Sequence, residues 1–238
     1  MRTVKVIILA AGQGGRLRPL TADRPKCMVQ VNGRTILDYQ LDALAQAGLT
    51  DVTIVIGYRG DTIRDHVGWR CRFIVNEAFE TTDNMYSLWL ARDLVAGEAF
   101  VFCNSDVIVE ASMIRDLVNC PHSSAMLVDT EKELSTRETN LVIENGWVTE
   151  YHRDIPLDRA NAQGLFTVKL GAEGSRLLFE RIDEFVRGDS LNYHPSRAFD
   201  AVLPTVPVAP IDANGRPWFE IDTLEDLADC RRRLGQRG

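Results

Sequence analysis

Residues 4–28 read VKVIILAAGQGGRLRPLTADRPKCM, an apolar run that gives way to a glycine-rich and then a basic loop. Val4, Val6, Ile7, Ile8 and Leu9 are almost uninterrupted by polar residues. A strand buried on both faces has this pattern, as in a parallel sheet covered by helices. The run stops at Ala10, Ala11, Gly12, Gly14 and Gly15. Small residues let backbone N–H groups come close to a ligand, and successive N–H groups form an anion cradle. Arg16, Arg18, Arg24 and Lys26 bring cations to the same place. The combination suits the phosphates of a nucleotide.

The loop is not a P-loop, because it lacks G-x-x-x-x-G-K-[ST]. Nor is it a dinucleotide fingerprint, because Leu17 stands where the third glycine belongs. A Gly-x-Gly-Gly string alone also fits an ordinary turn with solvated arginines. The whole string is more specific. Leu-Ala-Ala-Gly-x-Gly-x-Arg-Leu-x-Pro-Leu-Thr followed by Arg-Pro-Lys-x-Met closely resembles the signature of the nucleotidyltransferases that make activated sugars and alcohols. The resemblance implies a Rossmann-like α/β fold in which this loop holds the triphosphate and the lysine contacts the reacting phosphates. It assigns nucleotide binding to Leu9, Ala10, Ala11, Gly12, Gly14, Gly15, Arg16, Lys26 and Ser105, with Arg16 and Lys26 also catalytic. Pro25 stiffens the backbone before Lys26.

With 238 residues, the expectation is a single domain over 1–238: a doubly wound, mostly parallel sheet with a small hairpin insert. A formal charge of −7 argues against a nucleic-acid binder, which would carry a basic stripe. The five cysteines are scattered, without Cys-x-x-Cys or a His/Cys cluster, so neither structural zinc nor a disulfide framework is expected. The N-terminal apolar run is short and broken by Lys5, unlike a signal peptide, and no stretch approaches a membrane span. A cytoplasmic location without membrane attachment is expected. Oligomeric state is not readable.

Strands are expected at 52–56, 71–75, 98–103, 125–128, 164–170 and 205–209. Helices are expected at 35–47, 61–67, from 84, and at 111–118, 175–186 and 197–203. This alternation indicates a parallel sheet with ligands beyond the C-terminal strand ends. Residues 141–143 and 147–149, flanking Asn145-Gly146, read as a hairpin. The polar linker 129–139 reads as a mobile loop.

Three further stretches carry chemistry. Residues 84–89 crowd Asn84, Tyr86, Ser87 and Trp89 into a turn and a half. An N-cap at Asp83 or Asn84 accounts for one of these polar residues. The stretch resembles the Asn-x-Tyr-Ser-Leu of the phosphocholine cytidylyltransferase branch, which implies acceptor binding by Asn84, Tyr86 and Ser87. Strand 98–103 runs into Asn104-Ser105-Asp106, where an acid could cap a turn or ligate a metal. Mg²⁺ prefers oxygen ligands and needs only one or two carboxylates. The family often has Asp-x-Asp here, so with Asn104 in first place only Asp106 is carried over. Trp-x-Glu-Ile-Asp at 218–222 resembles the second metal motif, which implies Mg²⁺ on Asp106 and Asp222; Trp218 is also among the aromatic residues available to wall an acceptor, since quaternary ammonium groups bind aromatic faces. Asp200 matches the second member of a Glu-Asp pair of the branch, with Phe199 replacing the first; it reads as an acceptor-pocket residue or a plain surface acid. Where the branch often has Glu-x-Lys-Val, this chain has Glu138-Thr139-Asn140-Leu141. Thr223 and Asp226 form a capping box, with Leu224, Leu227 and Ala228 expected on the buried face of the last helix.

The resemblance therefore implies an enzyme that moves a nucleotidyl group, CMP from CTP by the branch, onto a small phosphorylated or phosphonylated alcohol or amine. Phosphocholine, aminoethylphosphonate and a phosphoglutamine-like amide are the acceptors considered. The alternatives are a sugar-1-phosphate nucleotidyltransferase using UTP, GTP or dTTP, and a non-catalytic nucleotide-binding module.

Overall fold

The computed structural model describes residues 4–188 and 191–236. Strand β1 is Lys5–Ala10, and the loop after it carries two 3-10 turns, Gly15–Leu17 and Lys26–Met28. A small ribbon of β2 (Gln30–Val31) and β3 (Arg34–Thr35) leads into α1 (Ile36–Gln46). Then come β4 (Asp51–Ile56), α2 (Gly60–Val67), β5 (Arg72–Val75), α3 (Asn84–Leu90) and α4 (Arg92–Val95). The middle of the chain forms β6 (Phe100–Asn104), β7 (Val107–Val109), α5 (Ala111–Asn119) and β8 (Ala125–Asp129). The hairpin β9 (Asn140–Glu144) and β10 (Trp147–His152) precedes β11 (Ala162–Leu170). The chain continues through α6 (Ala172–Arg187), α7 (Ser196–Val202), β12 (Ala209–Asp212), β13 (Trp218–Glu220) and α8 (Leu224–Gly235).

β1 lies at the centre of a parallel block ordered β6-β1-β4-β5. Its side chains alternate between two cores. Val6, Ile8 and Ala10 pack with Leu37, Leu41 and Leu44 of α1 and Met113 of α5. Ile7 and Leu9 pack with Met85 and Leu88 of α3 and Phe179 of α6. Helices thus cover both faces, which explains the unbroken apolar run. Beyond β6 the sheet turns antiparallel. β11 takes β6 along its second half and β9 along its first, with β8 on its other edge. The register slips between Gly164 and Val168, where Phe166 has φ +48°.

Two local expectations are corrected. The strand expected at 205–209 lies at Ala209–Asp212, because parallel pairing with β8 selects those residues, while Val206 and Val208 fill the core under α6 and α7. Residues 130–139 form a loop without helix or strand, as the linker reading expects, and its start is tethered: Asp129 accepts the backbone N–H groups of Glu131 and Lys132, and Asp212 accepts that of Thr130. In α8 the buried residues are Leu227 and Cys230, whereas Leu224 is 48% exposed and Ala228 is exposed too. Residues 218–220 form β13, antiparallel to β7, with Glu220 opposite Val107. No described helix is long and apolar enough to cross a membrane.

Candidate active site

The loop after β1 bends sharply at Gly14, whose φ of +65° is left-handed. A Cβ there would meet Lys26 Cβ at 2.8 Å, so a glycine lets the two ends of the loop close on one another. Thr21 Oγ1 donates to the Gly14 carbonyl at 2.9 Å and locks the bend. Gly12 and Gly15 have open space where a side chain would stand, leaving the loop backbone accessible. Tyr58 N–H donates to Ala11 O at 3.0 Å, and Ser105 N–H to Leu9 O at 3.2 Å. The ends of β1, β4 and β6 are thereby drawn together.

Lys26 occupies the centre. Its ammonium donates to Asp106 Oδ2 at 2.7 Å and also to Asp222 Oδ1. Arg16 Nη2 lies 2.8 Å from Asp222 Oδ2. The side chains of Lys26, Asp106 and Asp222 are 13%, 18% and 17% exposed, so the cluster is well shielded. Burial alone would lower the Lys26 pKa, but Asp106 and Asp222 outweigh it and raise it above the ordinary value. Burial likewise pushes Asp222 up, and Lys26, Arg16 and Arg153 more than reverse this, holding it below the ordinary carboxylate value. The two carboxylates already share one cation and are therefore close enough to share a divalent one. Asp106 Oδ1 is buried without a hydrogen-bond partner among the described residues. That spare oxygen and the two-carboxylate donor set fit a cation that fills its remaining positions with phosphate and water.

Asp106 is held from below by a residue that sequence reasoning missed. Gln40 of α1 is buried, and its Nε2 donates to the carbonyls of Asn104 at 2.6 Å and Val107 at 2.8 Å. The available signal was a polar residue at a position between Leu37 and Leu41/Leu44, on the apolar face of α1. Glu220 was also missed. It is enclosed near Asp106 and Asp222 and in contact with Glu138; desolvation first, then these three acids, push its pKa well above the ordinary value.

The residues expected around the acceptor are only partly brought together. Asn84 Nδ2 reaches Asn104 Oδ1 at 3.3 Å, beside Asp106. The Tyr86 ring stacks on Trp89, whose indole N–H binds Asp183 of α6. Ser87 is buried, and its Oγ accepts from Asn76 Nδ2 at 3.1 Å, fixing the chain after β5. The helical repeat turns Tyr86, two residues on, away from the face of Asn84, whereas Ser87, three residues on, shares that face. Trp218 donates through its indole to Asp129 at 2.6 Å, with Lys132 4.1 Å over its ring. It lines a cleft of about 520 Å³ whose lining is distinct from that around Asp200. Asp200 accepts Tyr151 N–H at 2.8 Å and lines a second cleft with Arg153 and Arg197.

Residues 6–190 match the family model described as the MobA-like NTP transferase domain. The chain is 28% identical to the CTP:phosphoglutamine cytidylyltransferase of Campylobacter jejuni, over 94% of this chain and 98% of that one. It is 28% identical to the choline-phosphate cytidylyltransferase of Streptococcus pneumoniae, over 94% and 95%. Among solved structures, the CTP:phosphocholine cytidylyltransferase of S. pneumoniae superposes with a TM-score of 0.77 at 24% identity, covering 98% of this chain and all of that one. At that identity the superposition establishes the fold.

Proposed function

The chain belongs to the MobA-like NTP transferase domain family, and from that premise we propose that it transfers CMP from CTP to a small phosphorylated or phosphonylated acceptor, releasing pyrophosphate. The observation that carries this reading is the convergence of Asp106 and Asp222 on Lys26, beside the Gly14 turn.

An acceptor phosphate oxygen forms a bond to the α-phosphorus, the bond from the α-phosphorus to the bridging oxygen breaks, and pyrophosphate leaves with that electron pair. The ionised phosphate is already a nucleophile, so no proton needs to be removed. His194 is consistent with this: burial and the Arg153 charge push its pKa down to about 3, so it is neutral at working pH. Catalysis then rests on positioning and charge neutralisation. The open backbone around Gly12 and Gly15 receives the triphosphate, and Arg16 lies over its outer phosphates. Lys26 trades the two carboxylates for phosphate oxygens when the reactants bind. Asp106 and Asp222 would hold Mg²⁺, which when bound neutralises phosphate charge and keeps the reactants in line. Gln40 and Asn84 keep the Asn104–Asp106 turn in place.

A triphosphate panel tests the proposal. With Mg²⁺ and a mixture of phosphocholine, aminoethylphosphonate and O-phosphoserine, CTP should give pyrophosphate at least tenfold faster than UTP, GTP or dTTP. Turnover with glucose-1-phosphate and UTP alone would replace this reading with the sugar-nucleotide one.

A further inference from the structure

β4 ends at Ile56, and the next residues, Gly57 and Tyr58, meet the glycine-rich loop. A Cβ on Gly57 would lie 2.8 Å from the Ala11 carbonyl oxygen and 2.7 Å from Phe79 Cβ, so a glycine is what lets the end of β4 come this close to the start of the loop. The chain then turns, with Gly60 N–H donating to Gly57 O at 3.0 Å and Arg59 at φ +49°. At this turn the backbone N–H of Tyr58 donates to Ala11 O at 3.0 Å.

The side chain of Tyr58 reaches the far end of the same loop. Its hydroxyl lies 2.7 Å from Ala22 O and 3.2 Å from Thr21 O and shares its proton between these two carbonyls. Thr21 in turn donates to Gly14 O at 2.9 Å. Tyr58 therefore touches both ends of residues 11–22 and, through Thr21, the bend between them. Its ring is backed by Phe79, with centroids 6.2 Å apart at 60°, a geometry in which aromatic pairs attract. Residues 18–24 depend on such an anchor, because all of them except Thr21 are exposed. Among the described residues, their remaining hydrogen bonds stay within the loop: Arg18 N–H to Gly15 O, Leu20 N–H to Leu17 O, Ala22 N–H to Pro19 O, and Arg24 to Asp23.

We propose that Tyr58 is a positioning residue for the nucleotide: its N–H and its hydroxyl pin the two ends of the loop to the end of β4, so that the backbone around Gly12 and Gly15 has its triphosphate-binding shape before any nucleotide arrives. The entropy of ordering an exposed loop is then lost when the chain folds and does not weaken nucleotide binding. Tyr58 acts through the loop and not on the reacting atoms. The assignment rests on the reading of this loop as the triphosphate site of a cytidylyltransferase.

The test is Tyr58→Phe in the full chain, which removes the hydroxyl and keeps the ring. Tyr39→Phe is the control, because the Tyr39 hydroxyl also donates to a carbonyl, Val31 O at 3.2 Å, and lies outside the loop. CTP binding is measured by calorimetry with Mg²⁺, and the KM for CTP and kcat by pyrophosphate release with phosphocholine and O-phosphoserine. Hydrogen exchange of peptides from residues 11–24 is followed without nucleotide and at saturating CTP. Tyr58→Phe should weaken CTP binding and raise its KM about three- to tenfold, as the loss of one neutral hydrogen bond does, while kcat stays within about twofold because bound triphosphate restores the loop. Exchange in 11–24 should be faster than in wild type without nucleotide and equal to it at saturating CTP. Tyr39→Phe should change neither CTP affinity nor loop exchange. Unchanged CTP affinity in Tyr58→Phe, a loss confined to kcat, or equal loop exchange in the two proteins overturns the assignment. The expected loss of affinity in a protein that turns over no acceptor removes the transfer reaction and leaves the role of Tyr58 standing. Normal turnover with unchanged CTP affinity does the reverse.

Discussion

The backbone N–H of Ile221 donates to the carbonyl of Asp106 at 3.0 Å, extending the β7–β13 ribbon to the two acids that meet at Lys26. Asp106 follows a central strand and Asp222 precedes the last helix. The ribbon sets the distance between their carboxylates, and Gln40 anchors its β7 end.

Gln40→Leu should therefore cost both stability and turnover. Two buried carbonyls lose their donor, each loss worth about 1–3 kcal/mol. Urea denaturation should show a drop of about 2 kcal/mol or more, and kcat should fall about tenfold as the Asp106 turn loosens. Unchanged stability would mean that those carbonyls are satisfied in another way.

Lys26→Met leaves two shielded carboxylates facing each other, a change that typically costs about 3 kcal/mol or more. Turnover should fall about a hundred- to a thousandfold. The variant's melting temperature at pH 7 should rise more on adding millimolar Mg²⁺ than the wild type's does, because no ammonium competes for the oxygens. An equal rise in both proteins would contradict a shared cation site. The pH signs follow from the shifts. Asp222 is held low, so its stabilisation is present above its ordinary 3.8 and is lost as pH falls through the folded value. Lys26 is raised, so its share is complete below 10.5 and disappears only as pH climbs beyond that.

Gly14→Ala should lower stability by about 1–2 kcal/mol and weaken nucleotide binding, since it strains a left-handed backbone and pushes on Lys26. Gly12→Ala, with free space at that position, is the comparison. Denaturation of the two variants should separate them clearly, with Gly12→Ala near wild type.

Glu220 carries the opposite pH signature. Its folded pKa is raised, so the native state keeps a proton that the unfolded chain releases, and stability falls as pH rises above the ordinary 4.5. The slope is at most about 1.4 kcal/mol per pH unit. Glu220→Gln should flatten this decline above pH 4.5. Parallel stability curves for both proteins would show that Glu220 is ionised in the fold.

The parts of the molecule that were legible are those coded by contiguous residues. The β1 run followed by Gly14 and Lys26 is one string, and α8 begins with a capping box at Thr223. The parts that were not depend on tertiary choices. Val107–Val109 and Trp218–Glu220 are too short to show a period of two, and only pairing makes them strands. The direction of Tyr86 and Ser87 depends on which face of α3 meets the sheet. Arg153 and Gln40 are single residues whose roles come from what the fold sets beside them.

The most direct measurement is pyrophosphate release by wild type, Asp106→Asn and Asp222→Asn, assayed side by side with CTP, Mg²⁺ and O-phosphoserine or phosphocholine. The wild type should turn over with at least one of these acceptors, and each folded variant should fall about a hundredfold or more below it. A folded variant that retains wild-type turnover would show that the two carboxylates are not where the reaction takes place.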